Sequence, residues 1–406
     1  MIRPGSALDR LHQLVPRGAD LGLARVRAAC AKLGHPELAF EVAHVAGTNG
    51  KGSASAMLAE ALRCSGRRVG LYSSPHLCVF AERVRIDGVP IDDATLDEVL
   101  AAAMRAAPEA TFFEAATLAA FIAFARAGVD VAVLEVGLGG RLDATNVLER
   151  PRVTAITRIA LDHTDRLGPD LASIAAEKGA IAKQGVPLVL GALEPEALAP
   201  ILRLAEAAGA PVVHAHAVER AVRLARRGPI GLAGAHQIDN AIVAAAAAVT
   251  LGLDDASIAR GLAEVRWPGR LETLATPEGQ VLLDAAHNVD GACALAAHLA
   301  AHAPPAATAL VFGAMADKDW PGMLAALAPR AAHRLWVTPE GRRAADPREL
   351  AARFGGEALP SVADALARAR ALVGPHGLVV VAGSIFLVGE ARARLLGLDR
   401  DPAVAL

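Results

Sequence analysis

The sequence predicts an α/β protein with mostly parallel sheets. Short apolar runs alternate with helix-forming stretches along almost all of the 406 residues, as expected for strands connected by helices. Hydrophobic residues make up 53% of the chain and charged residues 21%, so large cores can form. The alternation restarts after residues 267–270. We therefore expect two domains, residues 1–267 and a smaller, Rossmann-like α/β domain at residues 268–406.

In the N-terminal domain, short apolar runs predict strands at 40–46, 69–72, 131–136, 152–157 and 187–190. Stretches rich in helix formers predict helices at 54–62, 115–127 and 174–181. Catalytic groups of such sheets gather beyond the carboxyl ends of the parallel strands. The loops that follow the predicted strands are therefore the places to search for a site.

In the C-terminal domain, the same reasoning predicts strands at 280–283, 308–312, 335–338 and 378–381, and a helix at 291–299. This arrangement is a second α/β unit of ordinary size. The glycine-rich loop of the N-terminal domain, described below, is not repeated there.

The charge balance excludes some classes of partner. The net charge is −2, which gives no electrostatic reason to expect a nucleic acid or an anionic membrane. No signal-peptide pattern and no run of about 20 uninterrupted apolar residues occurs. The four cysteines are scattered without a CxxC pair, as in reduced proteins. We therefore expect a cytoplasmic protein.

The strand predicted at 40–46 leads into a glycine-rich loop and then a helix, which is the layout of a phosphate-binding loop. The glycines let backbone N–H groups point at a polyphosphate, the lysine adds a full positive charge, and the serine offers a hydroxyl to Mg²⁺. The loop consists of Gly47, Thr48, Asn49, Gly50, Lys51, Gly52 and Ser53. Gly52 separates the lysine from the serine, so a plain glycine turn is the alternative. We predict a P-loop ATPase-type N-terminal domain.

Two further residues suit a divalent cation, and a lysine follows them in the chain. Glu135 lies at the end of a predicted strand, where it can present a carboxylate to Mg²⁺, or pair with Arg141 as a structural ion pair. His163 has the neutral imidazole of a metal ligand, or a hydrogen-bonded structural role. Lys178 on the helix predicted at 174–181 is by default a solvated or ion-paired lysine. The residues alone leave these alternatives open.

Two other segments are candidates for contacts with a ligand, one in a loop after a predicted strand and one at the start of a helix. Ser73, Pro75 and His76 lie in the loop after the strand at 69–72, which suits either a turn or a substrate-contacting loop. Asn240 lies near the start of an alanine-rich helix, where its amide is placed to form hydrogen bonds with the edge of a nucleotide base.

Taken together, ten strings of the sequence resemble the folate branch of the Mur ligase superfamily, and within it the bifunctional dihydrofolate synthase/folylpolyglutamate synthase type. The strings are GTNGKGS (47–53), YSSPHL (72–77), FFE (112–114), EVGLGGRLDATN (135–146), LDHTDRLG (161–168), AEKGAI (176–181), HQIDNA (236–241), WPGR (267–270), DAAHN (284–288) and DKD (317–319). Each is weak alone, but this many in order is highly specific.

The resemblance implies a nucleotide and metal site. Lys51, Lys178 and His163 would be the catalytic residues. ATP, the co-substrate, would be held by Gly47 to Ser53 together with Asn240, Arg270, Asp284 and His287. Two Mg²⁺ ions would be ligated by Ser53, Ser73, Glu135, His163 and Lys178, and a monovalent cation such as K⁺ is also expected. Lys178 would be carbamylated by CO₂, which turns a cation that repels Mg²⁺ into a carboxylate that binds it.

The resemblance also implies a pterin pocket and two reactions. The pocket would be formed by Leu21, Ser73, Pro75, His76, Thr111, Phe113, Asp143 and Ala144. L-Glutamate would be ligated to dihydropteroate, and then to the γ-carboxylate of reduced folates, through an acyl phosphate. We expect a monomer that binds these small molecules and neither nucleic acid nor membrane. The alternatives are a Mur-type ligase for a cell-wall precursor and a non-catalytic P-loop nucleotide switch.

Overall fold

The computed structural model describes residues 4–15, 22–340, 344–402 and 404. The helices are α1 (Ala7–His12), α2 (Ala24–Lys32), α3 (Lys51–Cys64), α4 (Asp93–Ala106), α5 (Phe112–Ala127), α6 (Thr164–Leu167), α7 (Leu171–Gly179), α8 (Pro195–Ala208), α9 (Glu219–Arg227), α10 (His236–Thr250), α11 (Asp255–Glu264), α12 (Val289–His302), α13 (Trp320–Leu327), α14 (Pro347–Phe354), α15 (Val362–Val373) and α16 (Ile385–Leu396). The strands are β1 (Glu41–Ala46), β2 (Val69–Tyr72), β3 (Val84–Ile86), β4 (Val89–Pro90), β5 (Val131–Glu135), β6 (Val153–Ile156), β7 (Leu188–Leu190), β8 (Val212–His214), β9 (Glu272–Thr276), β10 (Gly279–Leu283), β11 (Thr308–Phe312), β12 (His333–Trp336), β13 (Glu357–Ala358) and β14 (Leu378–Ala382).

The first sheet has the order β4-β3-β2-β5-β1-β6-β7-β8. In this order, the six neighbouring strands β2, β5, β1, β6, β7 and β8 are parallel. The strands β3 and β4 extend the sheet at the β2 edge and are antiparallel. Val45 of β1 pairs with Glu135 of β5. The loops that follow these two central strands therefore leave the sheet side by side, where the strand order reverses.

The second sheet has the order β13-β12-β11-β14-β10-β9 and is parallel except for the β9–β10 hairpin. The two sheets confirm the predicted α/β fold. The strand predicted at 335–338 begins and ends two residues earlier, as β12. The strands that were not predicted are β3, β4, β8, β9 and β13, which are short or half-exposed and lie at or next to sheet edges, so their apolar signal is weak.

Helices cover both faces of the first sheet. Apolar side chains of α1, α4 and α5 form the core on one face, and those of α3, α10 and α11 form the core on the other. The alanine run 244–248 is buried on α10, so it is helix core. The second sheet is covered by α12, α13 and α14 on one face and by α15 and α16 on the other. Within the described residues, no helix is long and apolar enough to cross a membrane.

The chain passes between the two sheets in residues 265–271, which connect α11 to β9. We propose that the domain boundary falls there, between residues 267 and 268. The end of the chain returns to the first domain. The Asp401 N–H donates to the Cys78 carbonyl (2.9 Å), and Asp401 Oδ2 accepts a hydrogen bond from the Phe80 N–H (2.7 Å). Val404 is buried in the core that α1 and α5 form.

Gly261 determines how closely α11 packs on α3. A Cβ atom at this position would lie 2.4 Å from the backbone N and Cα of Ala61. Gly261→Ala should therefore lower the free energy of unfolding by about 1–3 kcal/mol through overpacking, although alanine is the better helix former. Chemical denaturation checks this result. Ala256→Gly, at an exposed position of the same helix, is the control and should cost about 1 kcal/mol or less. A stabilised Gly261→Ala variant would show that the helices do not pack as described.

Candidate active site

The predicted phosphate loop lies between β1 and α3. Lys51 is the first residue of α3, and its ammonium donates to the carbonyls of Gly47 and Thr48 (both 3.0 Å). The loop is held from the β6 side, where the Thr48 N–H donates to the Arg158 carbonyl (2.6 Å) and the Thr157 hydroxyl to the Asn49 carbonyl (2.7 Å). The helix N-terminus and the lysine together form a positive site for an anion.

Two glycines of this loop allow other elements to approach closely. Gly50 has φ +85°, and a Cβ atom there would lie 2.0 Å from the Asn240 Oδ1 atom. A Cβ atom at Gly52 would lie 3.0 Å from the indole nitrogen of Trp267. The predicted base-reading residue, Asn240, thus lies directly against the phosphate loop, and its amide also donates to the side chain of Gln237 (2.9 Å).

Glu135 is buried at the carboxyl end of β5 and accepts a hydrogen bond from the Ser74 N–H (3.3 Å). Burial raises the pKa of its carboxyl, and the nearby Lys51 opposes that shift. Arg141 pairs with Glu177 (3.0 Å), so the alternative of a Glu135–Arg141 ion pair is wrong. Ser53 is also buried, and its side chain makes no hydrogen bond to any described residue.

Lys178 is 5% exposed on the last turn of α7. The loop after β5 holds this turn, because the Arg141 N–H donates to the Glu177 carbonyl (2.9 Å) and Gly140 leaves room for the Lys178 backbone. Within the part of the chain that the structure describes, the Lys178 ammonium has no ion pair and no hydrogen bond. Burial, with the charge of Lys51 adding to it, lowers the pKa of Lys178 to about 7. The interpretation of Lys178 as a solvated or ion-paired lysine is therefore wrong.

His163 lies between β6 and α6 in a left-handed conformation, with φ +50°. Burial lowers its pKa to about 4, although the Asp162 carboxylate opposes this shift. The imidazole is therefore neutral near pH 7, the form that ligates metals.

Asp162 was given no role from the sequence, but it connects the two domains. Its carboxylate accepts hydrogen bonds from Lys318 (2.5 Å) and Asn288 (3.2 Å) of the second domain, and His287 Nε2 lies 3.5 Å away. Burial opposes ionisation of Asp162, but the hydrogen bond and charge of His287, with His163 and Lys318, hold its pKa well below the usual range. Asp162 and Lys318 belong to the strings LDHTDRLG and DKD, so these two strings were the sequence signal for this contact between the domains.

A second set of contacts joins the phosphate loop itself to the start of α12. The Asn49 amide donates to Asn288 (3.0 Å) and to Asp290 (2.7 Å), and Asp290 also pairs with Arg158 (2.7 Å). The second domain is thereby held over the loop.

The three residues predicted to reach the nucleotide from the second domain lie on the same side. The Asp284 carboxylate accepts from the N–H groups of Leu271 (2.9 Å) and Ala286 (3.0 Å), which places Arg270 beside the site. Arg270 influences the pKa of both Glu135 and Lys51. The Nδ1 of His287 is hydrogen-bonded to the Ala285 carbonyl (2.9 Å), so its Nε2 faces Asp162.

The predicted pterin residues lie at the start of α5 and in the loop after β5. Thr111 caps α5 together with Glu114, and the Phe113 ring packs on Gly137, where a Cβ atom would lie 2.4 Å from the ring. Asp143 accepts hydrogen bonds from the N–H groups of residues 137, 138 and 145, so it also shapes its own loop. Ala144 is buried beside it. Leu21 lies outside the described residues.

One cavity of about 1120 Å³ joins these groups. Its wall contains every predicted site residue that the structure describes except Gly47, Ser73 and His76, and the last two border an adjoining small pocket. The wall also contains residues that the sequence analysis did not assign, namely Ser74, Arg83, Arg158, Asp162, His236, Asp290 and Lys318.

This fold and site define the class of protein. A phosphate loop at the carboxyl edge of a parallel sheet opens into a cavity that a second α/β domain covers, and a buried glutamate and a buried lysine face the same cavity. That is a two-domain P-loop nucleotide-binding protein.

The comparisons with known proteins give the family. Residues 45–190 match the Mur ligase middle domain, and residues 269–385 match the Mur ligase glutamate ligase domain. The dihydrofolate synthase/folylpolyglutamate synthase of Bacillus subtilis is 33% identical over 95% of this chain and 97% of its own length. The chain belongs to the dihydrofolate synthase/folylpolyglutamate synthase family of Mur ligases, as the sequence analysis predicted.

Other relatives are longer. The probable bifunctional folylpolyglutamate synthase/dihydropteroate synthase of Haloferax volcanii is 40% identical over 91% of this chain, but only 48% of that protein is matched. The chain thus spans about half the length of this protein and of the similarly named relative of Halobacterium salinarum.

Two solved structures share the whole fold. E. coli FolC in complex with DHPP and ADP has a TM-score of 0.86 and 33% identity, covering 96% of this chain and 98% of that one. The bifunctional folylpolyglutamate synthase/dihydrofolate synthase of Yersinia pestis, complexed with AMPPNP and Mn ion, has a TM-score of 0.83 and 32% identity, covering 97% and 98%.

The contact between Gly50 and Asn240 predicts a nucleotide-binding defect. Gly50→Ala should lower the affinity for ATP by at least about tenfold, because the new methyl group displaces Asn240 or the loop. Isothermal titration calorimetry measures the affinity. Gly66→Ala is the matched control, since Gly66 also has a positive φ (+87°) but has open space around it. Equal affinities of the two variants would contradict the role given to this contact.

Proposed function

We propose that this protein ligates L-glutamate to dihydropteroate to form dihydrofolate, and to the γ-carboxylate of reduced folates to form polyglutamates, with ATP as co-substrate. The carrying observation is the single cavity in which the phosphate loop, Glu135, Lys178 and the Phe113 pocket meet. The names of the Bacillus subtilis and Yersinia pestis relatives support both activities. Membership of this family favours a folate acceptor over a cell-wall precursor.

The ATP site is assigned to the phosphate loop and the residues that surround it. Residues 47–53 would hold the β- and γ-phosphates, and Asn240 would contact adenine. Arg270, Asp284 and His287 would close over the nucleotide from the second domain. The neighbours complexed with ADP and AMPPNP support an adenine nucleotide as ligand.

The donors present fit a divalent metal ion. The buried carboxylate of Glu135 makes one hydrogen bond, and the Ser53 hydroxyl makes none to a described residue, so both are available as hard oxygen ligands. His163 is neutral. The Mn ion in the Yersinia pestis neighbour supports a metal-dependent reaction. We assign two Mg²⁺ sites to Ser53, Ser73, Glu135, His163 and Lys178, with a monovalent cation such as K⁺ as a further ligand of the enzyme. Bound Mg²⁺ would neutralise charge on the transferring phosphoryl group.

Carbamylation of Lys178 is part of this assignment. A lysine that is 5% exposed and lacks a carboxylate partner among the described residues is costly to keep charged. A carbamate changes the sign of the charge and faces Lys51, whose charge influences Lys178 in the structure. Only the neutral amine reacts with CO₂, and burial favours that form.

The acceptor would lie along the Phe113 side of the cavity. Thr111, Phe113, Asp143 and Ala144 line the large cavity there, as does Pro75 of the loop after β2, whereas Ser73 and His76 of that loop line the adjoining small pocket. The Phe113 ring offers an apolar face to the pterin–benzoyl portion. Leu21 is assigned to the same pocket on the resemblance alone.

The reaction has two steps. An oxygen of the acceptor carboxylate attacks the γ-phosphorus of ATP, which gives an acyl phosphate and ADP. The amine of L-glutamate then attacks the acyl carbon, and the tetrahedral intermediate expels phosphate as it loses a proton. Lys51 would stabilise the charge on the transferring group. The second domain, held by Asp162 and Asn49, would exclude water from the acyl phosphate.

A product assay tests this function. Purified protein is given ATP, Mg²⁺ and L-glutamate with either dihydropteroate or tetrahydrofolate, and the products are identified by mass spectrometry. We expect dihydrofolate from the first acceptor and added glutamyl residues on the second, with phosphate release only when acceptor and glutamate are both present. Phosphate release without an acceptor would instead indicate a nucleotide switch. We also propose a cytoplasmic monomer, which size-exclusion chromatography with light scattering and fractionation would check.

Replacing Lys178 should abolish ligation. Lys178→Ala removes the proposed carbamate, so a loss of at least about 100-fold in kcat is expected, with partial recovery when a short carboxylic acid is added. Lys183→Ala is the control, because Lys183 lies only five residues after Lys178 but does not line the cavity. An unmodified Lys178 in a structure of the active enzyme with Mg²⁺ and nucleotide would refute the carbamate.

Replacing Phe113 should affect the two acceptors differently. Phe113→Ala removes the apolar face beside Gly137 and should lower kcat/KM for dihydropteroate by about 10–100-fold, and that for tetrahydrofolate by less. Phe113→Leu, which keeps much of the apolar contact, should be milder. Steady-state kinetics with each acceptor measures this. Equal losses for both acceptors would contradict the assignment of Phe113 to the pterin pocket of dihydropteroate.

A further inference from the structure

Arg83 is a buried cation with unused hydrogen-bond donors. The residue is 1% exposed and lies just before β3. Its Nε atom donates to Nδ1 of His76 (2.9 Å), but neither terminal nitrogen of the guanidinium has a partner among the described residues. Arg83 also forms part of the wall of the large cavity.

Among the described residues no carboxylate forms an ion pair with Arg83, although the charge of Glu135 acts on it. The rings of Phe80 and Phe112 lie on it, each with its centroid 5.3 Å from the guanidinium carbon. The nearby Tyr72 hydroxyl is hydrogen-bonded to Thr117 (3.1 Å). Such cation–π contacts compensate only part of the cost of burying a charge. A planar donor fork with two free ends fits a carboxylate.

A second unused polar atom lies close by. Nε2 of His12 is buried, has no partner among the described residues, and belongs to the same cavity wall. The imidazole packs edge-on against Phe112, which also contacts Arg83. Burial lowers the pKa of His12. This end of the cavity wall therefore contains buried polar atoms without partners among the described residues.

Arg83 and Glu135 lie on opposite sides of the same loop. The Ser73 N–H donates to the Arg83 carbonyl (3.0 Å), and the Ser74 N–H donates to the Glu135 carboxylate (3.3 Å). Arg83 lies just before β3 and Glu135 is the last residue of β5, and these two strands flank β2. Because each neighbouring strand is about 5 Å away, the two backbones are about 10 Å apart. The two carboxyl carbons of a glutamyl residue are separated by about 5 Å. A glutamyl group whose γ-carboxylate is at the reaction centre is therefore long enough for its α-carboxylate to bridge part of the gap to Arg83, and the Arg83 side chain can span the rest.

We propose that Arg83 binds the α-carboxylate of the terminal glutamyl residue of a folate acceptor. This inference rests on the proposed function and specifies how one pocket serves both acceptors. Dihydropteroate has a single carboxylate, which reacts, so it leaves Arg83 without an anion. A glutamylated acceptor has a second carboxylate, which the guanidinium fork binds while the γ-carboxylate reacts.

The experiment combines a variant with an altered acceptor. Arg83→Met is compared with wild type on tetrahydrofolate and on its analogue with an α-carboxamide and an intact γ-carboxylate. Wild type should use the carboxamide about 10- to 100-fold less well, the effect of one charge-assisted hydrogen-bonded pair. Arg83→Met should lose a similar factor with tetrahydrofolate, mainly through KM, and should not distinguish acid from amide. Arg126→Met, at a half-exposed position at the far end of α5, should behave as wild type.

Each other result overturns the proposal. If the losses from the variant and from the amide multiply, Arg83 does not contact that carboxylate. If Arg83→Met raises the KM for L-glutamate in the dihydropteroate reaction, it binds the incoming glutamate instead. If its melting temperature without ligands falls well below that of wild type, the residue is structural, because replacing a buried guanidinium that has two unpaired nitrogens by an apolar side chain should cost little stability.

Two outcomes need separate controls. If Arg83→Met does not fold, the wild type and Arg83→Lys decide the question. The wild type should prefer the acid to the amide, and Arg83→Lys should show a smaller preference. Equal use of both acceptors by the wild type overturns the proposal. If the wild type ligates glutamate to dihydropteroate but not to tetrahydrofolate, the protein lacks the second of the two proposed activities. That failure of the proposed function is visible before any variant is made.

Discussion

The site depends on the burial of positive charges that form no direct ion pair among the described residues. Lys51 and Lys178 lie in one cavity, and each is disfavoured as a cation by burial. Arg83 keeps two free nitrogens in the same wall. Several acidic groups of the cavity are already engaged, as Asp143 is with its own loop and Asp284 with the backbone after Arg270. When the cavity holds no ligand, these buried charges lower the stability of the folded protein. Anionic ligands that bind in the cavity would offset this loss of stability.

The same cavity requires backbones and side chains to approach more closely than most residues allow. Asn240 contacts Gly50, the Phe113 ring contacts Gly137, and the turn bearing Lys178 contacts Gly140. These contacts place the amide proposed to contact adenine, an apolar wall and a prospective metal ligand around one loop. A methyl group at any of the three glycines would move a functional residue, so the glycines determine the geometry of the site as well as its turns.

The contacts between the domains at the cavity are polar. Asp162 binds Lys318 and Asn288, and Asn49 of the phosphate loop binds Asn288 and Asp290. Hydrogen bonds and ion pairs of this kind can exchange for contacts with a substrate at small net cost. An apolar interface of the same size would resist opening. The arrangement thus suits the proposed ligation, in which the site would admit three substrates and then exclude water.

The sequence by itself determined the α/β class, the two sheets, the phosphate loop and the family. These features depend on local patterns, namely apolar runs, helix-forming stretches and strings such as GTNGKGS, which survive without knowledge of contacts. Short edge strands such as β3 and β8 were missed because their burial signal is weak. Only the tertiary structure decided that Lys178 is buried without a partner, that Arg141 pairs with Glu177, and that Asp162 joins the domains. Burial and pairing depend on residues far apart in the chain, so no local pattern contains them.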